Sequence, residues 1–113
     1  MKRPDGTAGP AALFAALAAE SRLRILRLLA DDIFCVGALS RRTGISAGAV
    51  SQHLRVLKAA GLVLPERRGY FVHYRLAPDA GRRLKAAMAD ILKPPKGAKL
   101  CATKSRCARS RKT

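Results

Sequence analysis

The sequence predicts a mainly helical α+β fold, about five helices with one two-stranded β-hairpin, on three observations. Residues 43–61, TGISAGAVSQHLRVLKAAG, combine a helix-ending glycine, a capping serine and apolar residues at helical spacing. Residues 62–76, LVLPERRGYFVHYRL, place two apolar-rich runs around Arg67-Arg68-Gly69, a hairpin pattern in which Gly69 is free to take positive φ. The apolar residues on either side of these segments recur three and four positions apart. A chain of 113 residues holds one modest core. We divide it into a flexible N-terminus (1–10), a folded domain (11–92) and a basic, cysteine-containing C-terminal tail (93–113).

The elements follow in order. Residues 11–19 form a short Ala-rich helix with Leu13 and Leu17 on one face. Ser21 is expected to cap a second helix, RLRILRLLA, whose Leu23, Ile25, Leu26, Leu28 and Leu29 mark the centre of the core, and Asp31-Asp32 ends it. Residues 35–43 form a short helix with Val36 and Leu39 facing inward, ended by Thr43-Gly44. Ser46 then caps a helix over 46–60, in which Val50, Leu54 and Leu57 form the apolar face and Ser46, Ser51, Gln52 and Arg55 the polar one; Gly61 closes it. In the hairpin, Pro65 lacks a ladder donor and restricts its strand to an edge. Pro78-Asp79 starts a last helix, 79–92, with Leu84, Met88, Ile91 and Leu92 as its stripe, and Pro94-Pro95 stops it. From Lys96 the chain is polar and basic, a composition that stays mobile unless tied down.

The net charge of +16 points to a polyanionic partner. Residues 93–113 carry eight Lys/Arg and no acid, and residues 11–92 carry thirteen against six acids, so the folded part is basic by itself. Double-stranded DNA fits this distribution. A membrane surface calls for a basic amphipathic helix with large apolar anchors, whereas Trp is absent and aromatics make up 4% of the chain. Lys2-Arg3 before an Ala-rich run imitates a secretory signal, but Gly9 and Pro10 interrupt it and only Leu13, Phe14 and Leu17 are large and apolar. Three cysteines without framework spacing agree with a reducing compartment, and a cytoplasmic location is expected.

Four helices, a hairpin and a helix is a winged helix-turn-helix order. The segments ALAAESRLRILRLLA, CVGAL, GISAGAVSQHLRVLKAAGLV and RRGYFVHYRL resemble successive signatures of the ArsR/SmtB family of bacterial metal-sensing repressors, over roughly residues 13–92. The resemblance implies a homodimer held by the first and last helices, binding to an operator with a short inverted repeat, and release of that DNA by an inducer. Carried over by position, the base-reading residues are Ser46, Ala47, Gly48, Ser51 and Gln52, with His53 behind them. The family often has Gln at Ala47 and a small polar residue at Gly48, so two hydrogen-bonding side chains are missing at the tip of this helix. Readout then rests more on Ser51, Gln52, DNA shape and phosphate contacts. Arg55 faces the same way, and Arg67 and Arg68 at the hairpin tip are placed for minor groove or phosphate. His53, followed by core Leu54, is expected to pack or hydrogen-bond within the domain, and His73 to lie on the surface.

Cys35, Cys101 and Cys107 are the candidate metal ligands. Arsenic sensors of the family commonly have a second cysteine two residues after the position of Cys35; here that residue is Gly37. Nine residues separate Leu92 from Cys101, a reach of at most about 30 Å, so the tail pair in KLCATKSRC can approach Cys35 of either subunit. Lys99, Lys104 and Arg106 favour the thiolate form. Three thiolates without a neighbouring His or carboxylate suit a soft ion: As(III) first, then Sb(III), Cd(II) or Pb(II). Zinc usually wants a fourth ligand. The family's other frequent site pairs Asp and His on the last helix, which here has Asp79 and Asp90 but no His, excluding zinc, cobalt or nickel there. Two alternatives remain: a thiol redox- or persulfide-responsive repressor of the same fold, and a non-regulatory basic DNA-binding module. With no paired-carboxylate, Ser/His/Asp or phosphate-loop constellation, an enzyme is not expected.

Overall fold

In the computed structural model, residues 9–93 are described. They form α1 (Pro10–Leu17), α2 (Glu20–Asp31), β1 (Phe34–Cys35), α3 (Val36–Thr43), α4 (Ala47–Ala59), β2 (Val63–Arg68), β3 (Phe71–Leu76) and α5 (Ala80–Leu92). Five helices surround a small antiparallel sheet with strand order β1-β3-β2. Pro65 lies on the edge strand β2, where its missing N–H breaks no ladder.

The core is aliphatic. Ile25, Leu39, Val50, Leu54, Leu57, Leu62 and Val63 are fully buried, joined by Leu13, Leu29 and several alanines. Each such Val, Leu or Ile contributes about 1.5–3 kcal/mol of burial. Val50, Leu54 and Leu57 are the buried residues of α4, as their spacing dictates.

The link between α3 and α4 is fixed by short polar bonds. Gly44 takes φ +80°, a left-handed helix end that a Cβ would strain. Buried Thr43 donates its hydroxyl to Leu39 O at 2.7 Å and accepts from Ile45 N at 3.4 Å. Ser40 donates to Ile45 O at 2.6 Å, and Arg24 reaches from α2 to Thr43 O at 2.6 Å. Ser46 is the N-cap of α4, accepting from Ala49 N at 3.1 Å.

Four expectations need correction. The cap of α2 is Ala19, not Ser21, which lies inside the first turn; Glu20 already stands at the positive end of the helix dipole, so the helix starts earlier. The first helix stops at Leu17, where Arg22 takes over its terminal carbonyls, donating Nε to Ala16 O at 2.7 Å and Nη2 to Ala15 O at 3.3 Å. The hairpin is present, but a third strand, Phe34–Cys35, pairs with β3 and makes it the central strand. His73, expected on the surface, is consequently half-buried. The apolar stripe of α5 is largely uncovered: Met88, Ile91 and Leu92 are 48%, 54% and 70% exposed, and the buried residues of α5 are Ala80 and Ala87. No helix among the described residues is long and apolar enough to cross a membrane.

Candidate nucleic-acid interface

The apolar and polar faces of α4 separate cleanly. With Val50, Leu54 and Leu57 committed to the core, the residues half a turn away must face solvent, and Ser46, Ala47, Gly48, Ser51, Gln52 and Arg55 are all exposed. Gly48, Ser51, Gln52 and Arg55 run along one stripe at three- and four-residue spacing. At its N-terminal end, Ala47 and Gly48 bring backbone to the surface with little side chain.

His53 is only half-buried and is turned inward. Arg22 Nη1 lies 3.2 Å from His53 Nδ1; because a guanidinium can only donate, that nitrogen accepts and the ring proton resides on Nε2. The expectation that His53 bonds within the domain holds. The same Arg22 holds the last carbonyls of α1, so one side chain joins the first helix to α4. At the other end of α4, Arg83 of α5 donates Nη1 to Gly61 O at 2.7 Å and Nη2 to Ala60 O at 2.9 Å. Those carbonyls have no further helical turn to satisfy them.

The hairpin turn is Gly69-Tyr70, with Gly69 at φ +65° and Tyr70 at negative φ, the type II′ pattern. Arg67 and Arg68 end the strand beside it, both exposed. They are not equivalent. Arg68 pairs with Glu66 at 3.1 Å, and Arg75 holds the other oxygen of Glu66 at 3.1 Å, whereas Arg67 has no ion-pair partner among the described residues. Sequence reasoning missed the most exposed aromatic residues, Tyr70 (96%) and Phe71 (65%), and exposed Val56 on α4. In the sequence Tyr70 and Phe71 belonged to an apolar strand run, and only the turn position shows that they project from the tip.

Of the three candidate ligands, Cys35 is described; Cys101 and Cys107 lie outside the described residues. Cys35 is half-buried, ending β1 and serving as the N-cap position of α3. Its register partner on β3 is His73. The expectation of thiolates with no His nearby is therefore corrected at Cys35: the two-residue strand brings an imidazole alongside. His73 Nδ1 is buried without a hydrogen-bond partner, a deficit that ordinarily costs about 1–3 kcal/mol. No group of three potential metal ligands occurs among the described residues.

Residues 19–64 match the family model described as "Bacterial regulatory protein, arsR family". The nodulation protein NolR of Rhizobium meliloti is 37% identical over 72% of this chain and 66% of its own length. The arsenical resistance operon repressor of Escherichia coli K12 is 41% identical over 61% of this chain and 60% of its own. The chain thus spans 60–66% of the length of these relatives. A homodimeric winged helix-turn-helix DNA-binding domain from Mycobacterium bovis, described as a possible ArsR-family transcriptional regulator, superposes with a TM-score of 0.62 at 35% identity, covering 72% of this chain and 76% of that one.

Proposed function

This chain belongs to the arsR family of bacterial regulatory proteins, and from that premise we propose that it is a homodimeric repressor that releases operator DNA when a thiophilic ion binds its cysteines. The observation that carries the DNA-binding half is the surface itself. Ser46, Ala47, Gly48, Ser51, Gln52, Arg55, Arg67 and Arg68 are all exposed, on a domain whose charge is strongly positive. In this reading α4 enters the major groove, Ser51 and Gln52 address base edges, and Arg55 and the wing arginines meet phosphate or minor groove. Two such helices about one helical turn apart read an inverted repeat. The uncovered Met88, Ile91 and Leu92 on α5, which packs on α1, supply an apolar face for the second subunit.

The sensing half rests on Cys35 at the start of α3, the helix that packs against α4, with Cys101 and Cys107 completing a three-thiolate set. As(III), whose lone pair favours three-coordinate pyramidal sites, is the first choice of inducer; Sb(III), Cd(II) and Pb(II) share its affinity for thiolate. One relative carries arsenical resistance in its name and another carries nodulation, so the family alone does not select the ion. Linkage limits the effect: the ion weakens DNA binding only as far as it prefers the DNA-free conformation.

The test uses the reduced full-length chain. About one As(III) per subunit is expected to bind with near-ultraviolet S–As absorption and to release an inverted-repeat operator. Each single change, Cys35→Ser, Cys101→Ser or Cys107→Ser, should abolish release while leaving ion-free DNA binding intact. A Cys35→Ser variant that still responds like the parent refutes the shared site. DNA release by mild oxidant, with no response to As(III), would establish the redox reading instead.

A further inference from the structure

We propose that Tyr70 is a wedge that each wing drives into the minor groove, unstacking a TA step and bending the DNA. The proposal rests on the reading of this chain as an operator-binding protein, and adds to it a residue and a mode of readout.

The tip is built to present one ring. Gly69 and Tyr70 form the two-residue turn, and the last paired residues are Arg68 and Phe71. Tyr70 is 96% exposed, so its ring touches almost nothing of its own domain. It holds a large apolar area in water, with a hydroxyl able to donate. The chain has two tyrosines, three phenylalanines and no tryptophan, yet Phe71, 65% exposed, stands directly behind Tyr70. Successive strand residues point to opposite faces, so Arg67 and Arg68 flank the ring from the two sides of the hairpin. Glu66, the single acid of the hairpin, is held by Arg68 and Arg75, which offsets its repulsion from phosphate. The surroundings of the ring are thus cationic. That suits a polyanion and opposes docking on a second copy of this basic chain.

Width decides how the tip enters. The backbones of paired strands lie about 4.8 Å apart before side chains are added, and the minor groove of B-DNA is about 6 Å wide. The body of the wing does not fit that groove, whereas a ring at its tip does. Driving the ring between base pairs opens the groove and kinks the duplex toward the major groove. TA is a flexible step, and its minor-groove edge carries only acceptors for the Tyr70 hydroxyl. A G·C pair would place an amino group in the path of the ring. Readout by deformability also fits α4, where Ala47 and Gly48 leave the first turn little side chain for base edges.

The test uses the full-length chain and the duplexes that it retains from a randomised pool. These should be enriched in a TA step in the minor groove beside each half-site. On binding they should shorten end to end by fluorescence energy transfer, and thymines at that step should become reactive to permanganate, which attacks unstacked thymine. Tyr70→Ala should lose the bend and the reactivity and weaken binding about tenfold, a loss in the range seen when one aromatic is removed from a stacked base. Tyr70→Leu, still an apolar wedge, should keep the bend but lose the preference for TA over CA. A parent complex that is straight and unreactive, or a Tyr70→Ala complex bent like the parent, overturns the wedge and leaves the repressor reading intact. A chain that retains no duplex overturns both. A free Tyr70→Ala protein of lower sedimenting mass than the parent also overturns the wedge, by assigning the ring to a subunit contact.

Discussion

Replacing Gly61 with alanine should cost far more than its position just beyond a helix suggests, and the excess should vanish when Arg83 is removed. Gly61 holds φ +78°, where an L side chain is strained by about 1–2 kcal/mol. Its new Cβ would also lie 2.9 Å from Arg83 Nη1, too close to persist. The guanidinium is the flexible end of a long side chain, so it yields, and yielding breaks its bonds to Ala60 O and Gly61 O. Arg83 is 15% exposed, so these are largely sheltered charge-assisted bonds, together worth about 2–3 kcal/mol. Gly61→Ala should therefore destabilise by about 3–5 kcal/mol and Arg83→Ala by about 2–3 kcal/mol. The double variant should cost only about 3–5 kcal/mol, leaving it about 2–3 kcal/mol short of the sum. Urea unfolding of all four proteins at one fixed concentration, so that dimerisation does not shift the midpoint, measures this. Additive costs within about 0.5 kcal/mol would refute the reasoning, since they would mean that the Cβ and the guanidinium never compete.

Three further outcomes follow from the surface. Ser51→Ala with Gln52→Ala should lower specific operator affinity while leaving binding to unrelated DNA nearly intact in a mobility-shift comparison; equal loss of both would remove α4 as the base reader. Arg67→Ala should weaken binding to every sequence and lower the slope of log affinity against log salt by about 1, and Arg68→Ala should do less because Glu66 already holds Arg68. An unchanged slope for Arg67→Ala would place the wing away from phosphate. Ile91→Glu, at a side chain already 54% exposed, should leave the fold intact by circular dichroism yet halve the mass in sedimentation; a variant that stays dimeric would move the subunit interface off α5.

Where side-chain pattern and local chemistry act within one element, the sequence was readable. Helix α4 announces itself through Ser46, the Val50–Leu54–Leu57 spacing and Gly61, and the hairpin through Gly69, because each signal depends only on near neighbours. What depends on distant contact was not readable. Phe34–Cys35 is too short for any periodicity, and it becomes a strand only because β3 offers a partner, with Arg42 stacked 4.9 Å over the Phe34 ring. The half-buried state of His73 follows from that pairing. Arg22 and Arg83 read as surface charge in the sequence, yet their guanidinium groups terminate two helices from 6 to 23 positions away. The polar face of α4 was legible as a face; that His53 turns away from it required the position of Arg22.

The bond from Arg22 to both α1 and His53 has a consequence for which DNA sites can be occupied at all. In the proposed dimer closed through α1 and α5, the distance between the two α4 helices is measured from the dyad outward, and Arg22 is one of the links that sets it, beside the packing of α4 on α2 and α3. On that reading the molecule would act as a caliper. Operators with one base pair more or less between half-sites would then bind more weakly whatever their bases. Shortening that link, as in Arg22→Lys, would loosen the jaws and broaden the accepted spacings without altering the preferred half-site.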